Sequence, residues 1–161
     1  MATRSTIALE FADGTVGAVY CHWDGYLDHN GKILLNNYTD PYKLRELIEL
    51  GSVSSLRDEI GVKHPTDAPS RFADPVAYEA FQEKYGHMTT FHDRDFGQSE
   101  SAASYFKDFD EYVKEHDYQE YEYILRNDGV WYVSQGDEYV PLMEAIIEMM
   151  REEAEEEEIN E

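Results

Sequence analysis

Apolar and polar residues alternate from Thr3 to Phe11, with Ile7, Leu9 and Phe11 on one side and Arg4, Thr6 and Glu10 on the other. Period two is the pattern of a strand with one face on a core. Asp13-Gly14 supplies turn chemistry and a second alternating run follows from Thr15 to Trp23, which predicts a β-hairpin. Its second strand sends Val19, Cys21 and Trp23 to one face and Ala18, Tyr20 and His22 to the other.

From Gly31 the spacing becomes helical. Ile33, Leu34 and Leu35 are followed by Asp40-Pro41, an N-cap and first-turn pair, and then by Leu44, Leu47, Ile48 and Leu50 up to Gly51. Two short helices are predicted here, with a further helical turn or two over Ser52 to Ile60, stopped by Gly61. Lys63 to Pro75 contains His64-Pro65, Pro69 and Pro75 without an apolar period, and is expected to be a loop or lid. Asp74-Pro75 opens another helix carrying Tyr78, Phe81 and Tyr85 and ending at Gly86; Met88 to Gln98 gives no clear pattern. Phe106, Phe109, Tyr112 and Val113 predict a helix with Asp110, Glu111 and Lys114 in solvent.

Tyr118 to Arg126 alternates again, Asn127-Asp128-Gly129 is a turn, and Val130 to Ser134 is a short β-branched and aromatic run, so a second hairpin is predicted. A last helix starts near Pro141, with Leu142, Ile146, Met149 and Met150 on its apolar side, before the acidic run Glu152 to Glu158. The fold class is therefore α+β: two β-hairpins sharing an antiparallel sheet, packed with several short helices. A single domain is expected over 1–151, followed by an acidic tail over 152–161 whose order the sequence leaves open.

Charge changes this picture. The chain of 161 residues carries 35 acidic and 13 basic side chains, a net charge of −22, and 42% hydrophobic residues, enough for one core. Residues 1–80 hold 12 acidic and 7 basic residues, whereas residues 81–161 hold 23 and 6. Such a balance argues against direct binding to nucleic acid or a membrane, and favours a basic or nucleic-acid-binding protein as partner. Asp108, Asp110, Glu111, Glu115, Asp117, Glu120 and Glu122 crowd one segment, with Tyr112 and Tyr121 interleaved. Carboxylates a few ångströms apart resemble the linear charge of duplex DNA, about one phosphate per 1.7 Å, and tyrosines add rigid contact area. These nine residues are the expected partner-binding set. The plainer reading is a solvated acidic face that keeps the protein soluble.

Chemistry elsewhere is sparse. Cys21 to His29 gathers a thiol, His22, Asp24 and His29; a metal site on His22, Asp24 and His29 requires the loop to fold back, since Cys21 and His22 face opposite ways. The structural alternative has Trp23 and Tyr26 packing at the sheet edge, with Asp24-Gly25 and Asn30-Gly31 as turns. His87, His92, Asp93 and Asp95 form a second cluster without ligand spacing. No Walker loop, dinucleotide glycine pattern, nucleophile elbow or paired CxxC is present, so the chain is not expected to be an enzyme and no cofactor is implied. The lone Cys21 excludes an internal disulfide and is expected to be a buried apolar residue. With no apolar run after Met1, a reducing cytoplasm is the expected location.

Residues Met1 to Ala8, the string Val19-Tyr20-Cys21-His22-Trp23-Asp24-Gly25-Tyr26, then Asn30 to Leu35, Tyr38, and Leu47 to Gly51 resemble a family of small proteins encoded by tailed bacteriophages and prophages. The resemblance covers roughly the first 60 residues and implies a setting in the host cytoplasm. There, an acidic accessory protein without catalytic motifs would act as an inhibitor of a host defence or nucleic-acid-handling protein. Alternatives in other classes are a small-molecule or metal-binding protein centred on His22, Asp24 and His29, under the Lys63 to Pro75 loop, and a virion structural or regulatory protein. Oligomeric state is left open, a homodimer included.

Overall fold

The computed structural model describes residues 2–65, 68–99 and 101–160. Both expected hairpins form: β1 (Ser5–Glu10) with β2 (Val16–Cys21), and β6 (Tyr121–Leu125) with β7 (Trp131–Gln135). They share one sheet, mostly antiparallel, but the join between them is parallel, β1 lying beside β6 with Ser5 opposite Tyr121. The strand order is β4 (Thr90–Phe91), β3 (Val53–Ser55), β2, β1, β6, β7, β8 (Glu138–Pro141), and β5 (Ser104–Phe106) pairs with β2 alongside Val16 to Ala18. The fold is α+β.

One face of the sheet carries Ile7, Leu9, Val19, Cys21, Tyr123 and Leu125. The helices that cover it are α1 (Lys32–Asn37), α2 (Pro41–Glu49) and the start of α6 (Leu142–Asn160), through Leu34, Leu44, Leu47, Ile48, Leu142 and Ile146. The opposite face carries Ala8, Val16, Ala18 and Ile124 and is covered by α5 (Phe109–Glu115) through the buried Tyr112. Because both faces are covered, every residue of β1 is buried, Thr6 and Glu10 included. Glu10 is accommodated by charge pairing: Arg126 donates Nε to its Oε1 and Nη2 to its Oε2, both at 3.1 Å, and the Asn127 amide adds a third bond at 3.0 Å.

The Asp-Pro pairs act as expected. Asp40 accepts from the Tyr42 amide and Asp74 from the Ala77 amide, each ahead of a proline in the first helical turn of α2 and of α3 (Pro75–Tyr85). One expectation fails, and two stretches the sequence left open take definite structure. The segment after Gly51 forms the short strand β3 rather than a helical turn, because Cys21 at the end of β2 offers an unpaired edge to Val53. Met88 to Gln98 resolves into β4 followed by α4 (His92–Phe96). The acidic run after Arg151 continues α6 as helix to Asn160.

Candidate functional site

Asp108 caps α5, accepting from the Glu111 amide at 2.8 Å, and the Glu111 carboxylate reaches back to the Lys107 amide at 2.6 Å. This reciprocal pairing satisfies two amides that the helix start would leave open. Asp110, Glu115, Asp117 and Glu120 face solvent, as does Asp108. Glu122 and Tyr112, both expected on a contact surface, are instead buried, at 1% and 0% exposure. The reason is the pleat: Glu122 and Ile124 point to the α5 side of β6, and α5 lies over them. Glu122 Oε1 accepts from the Gln119 amide at 2.7 Å and lies 3.3 Å from His116 Nε2. His116 Nδ1 in turn bonds the Tyr112 carbonyl. Burial, with Tyr139 and Glu122 nearby, pushes the Tyr112 hydroxyl well above its ordinary pKa. Tyr121, half-buried, points to the other face, parallel to Tyr123 at 6.1 Å. The nine residues grouped by sequence therefore do not form one surface.

The second acidic array is on α6. Ile146 is its last buried residue, with Met149 half-buried beyond it, and every described residue from Met150 onward is exposed. Six glutamates, at 152, 153, 155, 156, 157 and 158, occupy seven consecutive helical positions. At about 1.5 Å rise per residue they span roughly 9 Å, a charge spacing close to the 1.7 Å of duplex DNA. Met143, Ile147 and Met150, at spacings of four and three, form an exposed apolar stripe along the same helix, beside Glu144 and Glu148.

No protein-family model, curated protein or solved structure matches the chain.

The metal alternative finds no supporting geometry among the described residues. His22 Nδ1 bonds the Tyr20 hydroxyl at 2.7 Å and His29 Nδ1 bonds Asn30 Oδ1 at 2.9 Å. Asp24 occupies the left-handed region at φ 56°. Among the described residues no three His, Cys, Asp or Glu side chains stand close enough to hold a metal ion, so neither His22, Asp24 and His29 nor the cluster around His87 and His92 assembles a site. The distinctive string from Tyr20 to Tyr26 is instead a structural corner. Cys21 is buried against the Asn30 amide, and burial pushes its thiol up to about 11, which makes it inert. A side chain on Gly25 would come within 2.8 Å of the Thr3 carbonyl and the Ser5 Cβ. Its own carbonyl accepts from the Tyr123 hydroxyl at 2.6 Å, tying the corner to the far hairpin.

Sequence reasoning missed a pocket of about 600 Å³ beneath the proline-bearing loop, lined in part by Arg57, Lys63, His64, Arg94 and Asp95. These residues are scattered over the chain; the only prior signal was the loop itself. Among the described residues no helix is long and apolar enough to cross a membrane.

Proposed function

We propose that this chain is a phage-encoded acidic binding protein, which inhibits a host defence or nucleic-acid-handling protein by occupying its basic nucleic-acid channel. The observation that carries the reading is α6, whose free end holds six carboxylates at DNA-like spacing clear of the core. A helix anchored through its packed first turns holds these charges closer to fixed positions than a disordered tail would, so less ordering entropy is lost on binding. The exposed Met143, Ile147 and Met150 supply desolvated contact area beside the charge. The contact set accordingly shifts from the α5 segment to α6, with the solvent-facing Asp110, Glu115, Asp117 and Glu120 on the opposite side of the sheet as a second acidic patch. The phage setting rests on the N-terminal resemblance.

The test is retention of host proteins by the immobilised chain at low and at high salt, repeated with Glu152, Glu153 and Glu156 replaced by Lys and with duplex DNA as competitor. The expected result is a partner retained only at low salt, released by DNA and lost in the triple variant. A partner held equally by the triple variant, or indifferent to DNA, refutes the mimicry.

A further inference from the structure

The pocket under the Lys63 to Pro75 loop reverses the charge balance of the molecule. Among the described residues, three of the chain's 13 basic side chains, Arg57, Lys63 and Arg94, line it against a single carboxylate, Asp95. That carboxylate is already committed. Asp95 accepts from the His64 amide at 2.9 Å, from the Phe91 amide at 2.8 Å and from the Arg94 guanidinium, and is buried. Arg94 is equally engaged, donating also to the Thr89 and Gly61 carbonyls. Arg94 and Asp95 thus cancel as part of the scaffold, and among the described residues the charges left facing the pocket are Arg57 and Lys63. Arg57 uses Nη1 on the Leu56 carbonyl, and neither residue has an ion-pair partner among the described residues.

Part of the remaining wall is aromatic and loosely held. Phe81 and Tyr85, on the pocket side of α3, have ring centroids 4.8 Å apart, and Tyr85 meets the His64 ring edge-on at 5.1 Å. None of the residues of α3 is buried, although it spans 11 residues, so its aromatic side has no core to rest on. Phe96, 57% exposed, stands at the same rim. His64 Nδ1 is buried with no hydrogen-bond partner among the described residues, although Asp95 Oδ1 is 3.3 Å away. A buried ring nitrogen without a partner costs free energy that a ligand can return.

We infer that this pocket binds a small organic anion with a planar ring, of mononucleotide chemistry, its phosphate on Arg57 and Lys63 and its base against Phe81 and Tyr85. Guanidinium and ammonium groups are the usual phosphate partners, aromatic faces are sequence-tolerant platforms for bases, and the volume falls within the range of small-molecule sites. The inference is independent of the acidic helix, which has no residue in this pocket.

Calorimetric titration of the full chain with AMP, adenosine and inorganic phosphate, at constant ionic strength, tests it. AMP is expected to bind at least tenfold more tightly than adenosine or phosphate alone. Arg57→Ala with Lys63→Ala is expected to weaken AMP at least tenfold, and Phe81→Ala to weaken AMP without changing the weak phosphate binding. Lys63→Gln, at an exposed position, serves if the double variant does not fold. Phosphate binding as tightly as AMP, AMP binding unchanged in the Arg57 and Lys63 variants, or no binding of AMP, GMP, CMP or UMP at millimolar concentration overturns the inference.

Discussion

Asp110 and Glu122 sit in the same acidic stretch, yet one faces water and the other is buried. Glu122→Lys buries an unpaired cation beside His116 and leaves the Gln119 amide without its acceptor, so a loss of about 3–5 kcal/mol is expected in urea unfolding. Asp110→Lys is expected to stay within about 0.5 kcal/mol. Charge reversal at Glu122 therefore cannot report on partner contacts, which composition alone had no means of revealing. Asp95 gives a pH signature. Burial raises its pKa, but the His64 amide, Arg94 and the Phe91 amide outweigh that and hold it below the ordinary 3.8. A depressed carboxylate adds stability above its unfolded pKa that is lost as pH falls through the folded value. Stability measured from pH 5 downward should therefore fall in the wild type and flatten in Asp95→Asn, which starts from a lower plateau. Residue identity could suggest a turn at Asp24-Gly25. It could not show that Gly25 is required by the approach of Thr3 and Ser5, a contact made by the chain returning past its own start.

Elements were legible where a local signal was strong. The Asp-Pro caps fixed the starts of α2 and α3, and alternation located β1, β2, β6 and β7. The short strands β3, β4 and β5 escaped because two or three residues hold no period, and their identity as strands comes from the edges they meet. Whether the charged end of α6 is ordered was not legible, because like charges at helical spacing oppose a helix. Its continuation depends on propagation from the packed first turns, through Leu142, Ala145 and Ile146. Two outcomes follow at this scale. Truncation after Arg151 should leave the Tm within about 2 °C, since a change of about 0.5 kcal/mol or less is expected for exposed positions. In the full chain, far-UV helicity should rise with added salt as glutamate repulsion is screened, and the truncated chain should not show the increase.

Across the whole molecule, the carboxylates of the acidic C-terminal half are divided between two helices that cover opposite faces of the sheet, α5 on one and α6 on the other. No linear reading could show this, because the division is made by which side of β6 each helix covers. Two separated patches predict that raising ionic strength slows association with a basic partner by tenfold or more, measured by stopped flow, while dissociation changes less. They also predict that reversing the α5 charges, Asp110 and Glu115 to Lys, slows association less than reversing those of α6.

The parallel join of β1 to β6 has a consequence for how the chain is made. Glu10 and Arg126, which bracket that join, lie 116 positions apart. At roughly 5–20 residues per second, a ribosome delivers β6 on the order of ten seconds after the first hairpin. During that interval β1 shows an open apolar edge, the kind that templates pairing between chains. Residues 1–80, which emerge first, carry 12 acidic and 7 basic residues, so little repulsion guards the edge. Products that stop short of Tyr121 should collect as insoluble material, and the full chain should gain yield when synthesis is slowed or a holdase chaperone is supplied.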